Sequence, residues 1–111
     1  MKTRINFNDF NKPDLRVGTI ICVEDFPEAR NPAYKLTIDF GDLGLRKTSA
    51  QITSLYTKDH LLNLQIIAVV NFPAKQIANI MSQCLVLGAV SGKDVMLLHP
   101  ESNVLNGSVV A

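Results

Sequence analysis

The sequence predicts a single all-β domain built around one continuous core. Its 111 residues fit one domain, and 47% of them are apolar. Apolar and polar residues alternate with the two-residue period of half-buried strands along much of the chain. No repeat, low-complexity tract or linker divides the sequence. We therefore expect one domain over residues 1–111, with its core starting at about residue 10.

The first two predicted strands show this alternation most clearly. Residues 15–23 form the first, and Gly18 within it indicates a bulge or a tight bend. The two prolines of segment 26–32 keep that segment out of a central ladder, so we expect a loop there. Between Tyr34 and Phe40, every second residue is apolar and the residues between them are polar. This segment is the second predicted strand.

The remaining elements follow in an order that is typical of one small barrel. A glycine turn at 41–44 leads into a third strand at 45–49, and residues 50–63 suit short helical turns. Further strands are expected at 65–70, 83–89 and 95–98, with a turn at Asn106-Gly107. Three strands, a short helical segment and further strands match a five-stranded OB-fold barrel with short terminal extensions. Periodicity alone also fits a small sandwich.

The two cysteines and the N-terminus indicate the cellular setting. Cys22 and Cys84 lie far apart, each beside aliphatic residues and without a partner at metal-ligand spacing. We predict that both are small buried side chains. The N-terminal residues are polar, and no stretch approaches the roughly 20 apolar residues of a membrane helix. We expect a cytoplasmic protein without membrane insertion.

One long stretch of the chain is almost free of charge. From His60 to Gly92 the only formally charged residue is Lys75. The connection at 71–81 is predicted to be a loop, and loops run over protein surfaces. It carries four large apolar residues: Phe72, Ile77, Ile80 and Met81. They form an exposed apolar rim that receives a ligand, or they fold back onto the barrel or fill a subunit interface.

The sequence contains no recognisable catalytic motif. His60 and His99 are far apart, and neither has a metal-ligand spacing. A G-x-S-x-G elbow, a phosphate-binding glycine loop and a C-x-x-C pair are all missing. The acidic residues at 24, 25 and 28 are typical of a solvated loop. We therefore expect a non-enzymatic protein without a metal or a cofactor.

Several short motifs resemble one known family. Residues 14–20 (DLRVGTI) are similar to the opening strand of the tRNA-binding domain family. This family includes free-standing tRNA-binding dimers, appended domains of methionyl- and phenylalanyl-tRNA synthetases, and the CsaA-type chaperones. The motifs FPEAR (26–30), IDFG (38–41), SAQIT (49–53) and NFP (71–73) resemble the CsaA branch in particular. The resemblance implies an OB-fold, a homodimer and no catalysis.

The resemblance also implies two kinds of ligand. The CsaA branch implies a chaperone for protein export that binds unfolded or precursor polypeptides. The wider family implies binding of structured tRNA. The residues that match the family's RNA-contacting positions are Lys35, Arg46, Lys47, Asn71, Lys75, Ser82 and Gln83. Pro73 replaces a lysine of the tRNA binders, which removes charge. Asn79 replaces a glycine, and asparagine tolerates the positive φ that such a turn requires.

The charge balance decides which of the two ligands is expected first. Domains that bind phosphates are typically strongly basic, whereas this chain has a net charge of only +1. The uncharged rim at Phe72, Ile77, Ile80 and Met81 suits a polypeptide better than a phosphate backbone. We expect a polypeptide chaperone, with tRNA binding as the alternative, and one protein could do both. A third hypothesis makes the rim only the dimer interface, with the chain acting as an assembly factor.

Overall fold

A computed structural model describes all 111 residues of the chain. Nine strands and two short helices succeed one another: α1 (Phe7–Phe10), β1 (Leu15–Asp25), β2 (Tyr34–Asp39), β3 (Leu45–Ala50), α2 (Lys58–Leu61), β4 (Gln65–Val69), β5 (Lys75–Ile77), β6 (Ile80–Ser82), β7 (Leu85–Val86), β8 (Gly88–Ser91) and β9 (Asp94–Leu97). A 3-10 turn at Gly41–Leu43 joins β2 to β3. None of the helices is long and apolar enough to cross a membrane.

Five strands form one antiparallel sheet in the order β3-β2-β1-β4-β7. The long strand β1 pairs with β4 through its first half and with β2 through its second half. Helix α2 lies between β3 and β4 in the chain. The predicted OB-fold is confirmed, including the helical segment between its third and fourth strands.

The core of the barrel comes from the alternating apolar residues. In β2 every second residue is buried, and the largest fully buried side chains are Ile20, Leu36, Ile38, Phe40, Leu61 and Ile66. Gly18 makes room for two of them. A Cβ atom at Gly18 would lie 2.6 Å from Cγ2 of Ile38 and 2.7 Å from the Phe40 ring. Gly18 thus allows close packing, and the predicted bulge lies elsewhere.

The bulge of β1 lies at Ile21, and it decides which cysteine is buried. Ile20 is paired with Ile38, but Cys22 is paired with Thr37, so the register shifts by one residue between them. An extra residue in one strand reverses the side of the sheet that later residues face. Cys22 is therefore exposed, and the prediction that it is buried is wrong, whereas burial of Cys84 is confirmed.

Main-chain and side-chain hydrogen bonds close the barrel between β3 and the residues that lead into β7. We call this junction the seam, and it consists of Lys47, Thr48, Gln83 and Cys84. The Gln83 N–H donates to the Lys47 carbonyl at 2.8 Å, and the Lys47 N–H donates to Oε1 of Gln83 at 2.9 Å. The Thr48 hydroxyl donates to the Cys84 carbonyl at 2.9 Å. These bonds replace a regular ladder.

The C-terminal residues 104–110, which we call the strap, cover the part of β1 that β2 does not pair with. The N–H of Val17 donates to Ser108, and the N–H of Gly107 donates to Val17. The Val110 N–H donates to Leu15. The predicted turn at Asn106-Gly107 is present, with Gly107 at φ 88°. The strap therefore fixes the start of β1.

Two segments between residues 71 and 91 differ from the prediction. The expected loop at 71–81 contains the β5–β6 hairpin, and the positive φ at its tip belongs to Ala78 at 49° rather than to Asn79. The expected strand at 83–89 is divided into β7 and β8. The division occurs because Leu87 donates to Ile67 of β4 and accepts from Leu98, which follows β9. The chain changes its pairing partner at that residue.

Candidate functional site

A groove of about 490 Å³ lies between the β5–β6 hairpin and the seam. Its floor comes from the barrel and its wall from the hairpin and the segment before it. The lining residues are Thr48, Ser49, Phe72, Pro73, Ala74, Lys75, Ile77, Ser82, Cys84 and Leu85. Lys75 is the only charged residue among them, so the groove offers an apolar surface with one positive charge at its wall.

The hairpin has two faces, and they divide the four residues of the predicted apolar rim. Lys75 pairs with Ser82, Gln76 with Met81, and Ile77 with Ile80. Since strand residues alternate between faces, Ile77 and Ile80 share the groove side. Met81 points to the opposite side and is 47% exposed.

The groove therefore receives only part of the predicted rim. Phe72 and Ile77 line it, and Phe72 is 55% exposed. Ile80 shares the hairpin face of Ile77 but lies outside the lining, and Met81 lies on the other face.

Hydrogen bonds hold the hairpin at both of its ends. At the base, the hydroxyls of Ser82 and Thr48 lie 2.9 Å apart. At the tip, Nδ2 of Asn79 donates to Oε2 of Glu28 in the 26–32 loop at 3.3 Å. The wall of the groove is thus connected to the barrel on either side of the apolar residues.

The three lysines predicted to contact RNA lie on or beside this region. Lys35 is opposite Ser49 across β2 and β3, on the outer side of the barrel, and its Nζ lies 5.6 Å from the centroid of the Phe26 ring. Lys47 is exposed on the same outer side of β3. Lys75 lines the groove itself. The positive charge of this region therefore comes from three side chains. Lys35 lies over an aromatic ring, and Lys47 and Lys75 lie near the seam.

Three other candidates use their side chains to hold the protein's own main chain. Arg46 donates to the Val70 carbonyl at 3.1 Å, and Gln83 accepts from Lys47 at the seam. Asn71 accepts from the Asp14 N–H at 2.8 Å and donates to the Lys12 carbonyl at 2.7 Å. Ser82, the remaining candidate, lines the groove and contacts Thr48. Arg46, Asn71 and Gln83 thus have structural bonds where the sequence predicted ligand contacts.

Cys84 contributes a neutral, apolar surface to the floor of the groove. Burial raises the pKa of its thiol to about 11, although the nearby Arg46 charge acts in the opposite direction. The thiol therefore keeps its proton at neutral pH. The floor carries no negative charge that would repel a carboxylate or a phosphate.

Sequence reasoning missed several residues of the groove. Leu85 is 49% exposed and lies beside Cys84, and it belongs to the uncharged stretch that was recognised. The sequence did not identify Thr48 as a groove residue, because threonine is common in strands and nothing in the pattern distinguishes this one. Its role depends on the seam, which only the tertiary structure defines.

Comparisons with known proteins agree with this geometry. The sequence model of the family described as "Putative tRNA binding domain" matches residues 15–109. A chaperone CsaA from Bacillus anthracis has a similar structure, with a TM-score of 0.93 and 48% identity, covering 98% of this chain and 100% of that one. A CsaA chaperone protein from Picrophilus torridus has a TM-score of 0.91 and 56% identity, covering 97% and 100%.

Curated relatives include much longer enzymes. Methionine–tRNA ligase from Thermococcus onnurineus is 38% identical over 94% of this chain, and that from Pyrococcus abyssi is 39% identical over 96%. The chain spans only 14% of the length of either enzyme. A MetRS related protein from Pyrococcus horikoshii, 23% identical with a TM-score of 0.87, shows the same fold.

The barrel, the seam and the family match define the class of this protein: the chain belongs to the tRNA-binding domain family. Within that family it is of the CsaA type, because two CsaA structures match it over their whole length at 48% and 56% identity. The resemblance read from the FPEAR, IDFG, SAQIT and NFP motifs is confirmed.

Proposed function

We propose that this protein is a non-enzymatic chaperone of the cytoplasm that binds unfolded or precursor polypeptides and assists their export. The groove beside the seam is the single observation that carries the proposal. Phe72, Ile77 and Leu85 offer apolar contacts there, and the two CsaA structures that resemble the chain are described as chaperones. An exposed apolar surface of this kind is typical of an interaction site.

The charge of the groove favours a polypeptide over an RNA backbone. Nucleic-acid affinity depends on many lysine or arginine contacts to phosphates, each of which releases counterions. The groove lining contains one such residue, Lys75, whereas apolar side chains make up half of it. A segment of unfolded chain with apolar side chains therefore matches the groove better.

We also propose that the protein acts as a homodimer. A second apolar face lies outside the groove lining, on the N-terminal residues 5–10, which include helix α1, and on the strap, where Ile5, Phe7, Phe10, Leu105 and Val109 are exposed. Phe10 and Val109 line one shared cavity, so the helix and the strap form a continuous surface. This face gives the dimer an interface without using the groove, which stays open for a ligand.

Substitutions in the groove and on the opposite face of the hairpin test the chaperone proposal. Ile77→Ser and Phe72→Ser remove apolar surface from the groove, and each should weaken binding of an unfolded precursor polypeptide by about tenfold, or about 1.4 kcal/mol. Met81→Ser is the matched control, because it removes a comparable side chain from the opposite face. Fluorescence anisotropy with a labelled unfolded client measures the affinities. Equal binding by all three folded variants would contradict the proposal.

Binding of tRNA is the second candidate function, and the family match favours it. Lys35, Lys47 and Lys75 lie on or beside the groove, where they could contact phosphates. Lys47→Ala and Lys75→Ala should each reduce the slope of log affinity for tRNA against log salt by about one. Lys93→Ala, in the turn between β8 and β9, is the control and should leave the slope unchanged. A slope that neither substitution alters would exclude this surface as an RNA site.

A further inference from the structure

A second cavity of about 250 Å³ continues the groove beyond Leu85. It is lined by Ser49, Ala50, Gln51, Ile52, Leu85, Val86, Val95 and Leu97. Ser49 and Leu85 belong to the lining of both spaces, so the two are adjacent and share one border. Nothing in the function proposed above uses this second cavity.

We propose that the groove and the second cavity form one binding site with two compartments. Its occupant is an extended polypeptide segment that places one apolar side chain in each compartment, with Leu85 as the ridge between them. This inference rests on the proposed function and makes it more specific. It predicts that clients are selected by the spacing of their apolar residues as well as by their number.

The dimensions of an extended chain determine that spacing. Side chains of an extended segment alternate between two sides, and residues i and i+2 on one side lie about 6.6–6.8 Å apart. Leu85 is 49% exposed and borders both compartments, so its side chain separates two neighbouring anchors. Residues i and i+2 of the client therefore reach across the ridge, whereas residue i+3 faces the other side.

The edge of β3 offers the main-chain partners that an extended segment needs. Both the N–H and the carbonyl of Lys47 are directed across the seam to Gln83. Alternate residues of a strand direct their main-chain groups to the same side, so the N–H of Ser49 is directed into the space that both compartments share. The Ser49 carbonyl lies on the same side and accepts from the Thr48 hydroxyl at 3.2 Å, which leaves its second lone pair for a client. A client strand lying there pairs with an edge that β7 does not cover, which is a recurrent way of binding peptides.

Charge complementarity supports a polypeptide as the occupant of both compartments. Among the residues that line either space, Lys75 alone carries a formal charge. The second cavity is lined entirely by uncharged side chains, mostly apolar, and the phosphate chain of an RNA would find no cation there. An uncharged stretch of polypeptide avoids the large cost of removing a charge from water, and its main-chain groups can be satisfied by the edge of β3.

Short synthetic peptides with capped ends test the inference. Each peptide consists of serine, threonine and glutamine with either one leucine or two leucines at spacings i,i+2 or i,i+3, and binding is measured by fluorescence anisotropy of a label at one end. We expect the i,i+2 peptide to bind about tenfold more tightly than the single-leucine peptide. The i,i+3 peptide should bind no more tightly than the single-leucine one apart from the statistical twofold gain.

Val95→Thr tests the second compartment alone, because Val95 lines that cavity and does not line the groove. The substitution should remove most of the advantage of the i,i+2 peptide and leave the affinity of the single-leucine peptide unchanged. Met96→Thr is the matched control, since Met96 is the next residue of β9, lies on the other face and is 53% exposed. It should alter neither affinity.

The outcomes separate this inference from the proposed function. If the single-leucine peptide binds and Phe72→Ser weakens it, but neither spacing adds affinity, the groove binds polypeptide and the two-compartment inference is wrong. If no peptide binds to the wild-type protein, both proposals fail. If unlabelled tRNA displaces the peptides while the spacings remain equivalent, the site takes RNA and the inference is overturned. The spacing series on the unmodified protein decides the matter even if Val95→Thr does not fold.

Discussion

Among single residues, the two cysteines show how strongly the local register controls chemistry. Cys84 lies at the floor of the groove and is buried, and burial raises the pKa of its thiol to about 11. Cys22 has a similar aliphatic neighbourhood in the sequence but is exposed. Since the thiolate is the reactive form, a raised pKa leaves less of it at any given pH. The two thiols should therefore differ in reactivity.

We expect iodoacetamide at pH 8 to modify Cys22 quickly and Cys84 slowly in the folded protein. Peptide mass spectrometry after a time course gives the two rates. Raising the pH towards 11 should increase modification of Cys84, because its thiol then begins to lose the proton. Unfolding in denaturant is the control and should make the two rates similar. Equal rates in the folded state would show that the groove floor is open to solvent.

The position of Cys22 also shows where sequence patterns stop being informative. The alternation of apolar residues predicts the course of β1, and the structure has a strand there. However, four consecutive apolar residues from Ile20 to Val23 are compatible with either register, and the bulge at Ile21 selects one of them. The bulge depends on pairing with β2, which has no local signal. The interior of β2 was predictable because its alternation is uninterrupted.

Among the elements, the β5–β6 hairpin was the least predictable and has the largest role in the groove. Its strands contain three residues each, too few for a two-residue period to be recognised. The near absence of charge at 71–81, where Lys75 is the one charged residue, indicated a surface with apolar residues, but it could not indicate that Ile77 and Met81 face opposite sides. That arrangement follows from the pairing of Ile77 with Ile80. Composition thus predicted where the candidate site lies, and the strand pairing determined which residues belong to it.

The strap depends on one buried polar side chain of the barrel. Gln65 is 8% exposed, and its amide donates to the Val104 carbonyl at 2.7 Å and accepts from the Val104 N–H at 3.0 Å. It also donates to Oδ1 of Asn106 at 3.1 Å. The Gln65 side chain therefore provides hydrogen-bond partners for Val104 and Asn106 of the strap, where no strand pairing provides them.

Gln65→Leu should destabilise the protein by about 1–3 kcal/mol, because it leaves buried polar groups of the strap without partners. The free energy of unfolding from urea titration measures the effect, and Gln51→Leu is the control, since Gln51 is exposed. Hydrogen exchange should show the loss first at Val17, whose amide donates to the strap. A change below about 0.5 kcal/mol would mean that the strap is held by its main-chain bonds alone.

For the whole molecule, the two apolar surfaces lie next to each other. Asn71 holds Lys12 and Asp14 of the N-terminal segment through its side chain, and the next residue, Phe72, lines the groove. The α1–strap face, defined by Ile5, Phe7, Phe10, Leu105 and Val109, therefore borders the segment that leads into the groove. In the proposed homodimer, two protomers joined through this face would present two grooves, one on each side of the shared interface. A long unfolded chain could occupy both, whereas a short peptide could occupy only one.

This arrangement predicts that dimerisation raises affinity for long clients alone. The double substitution Phe7→Ser with Phe10→Ser removes apolar surface from α1 and should convert the protein to a monomer, as measured by sedimentation equilibrium. Binding of a long unfolded client should then weaken by one to two orders of magnitude, because the second contact no longer benefits from tethering. Binding of a short peptide to the groove should not change.

Val90→Ser is the control for this experiment, since Val90 is 75% exposed on β8 and lies outside the α1–strap face. It should leave both the dimer and the client affinity intact. A double variant that stays dimeric would place the interface elsewhere on the molecule. A monomer that retains full affinity for the long client would show that each groove acts alone, since loss of a second tethered contact always lowers the affinity for a ligand that occupies both sites.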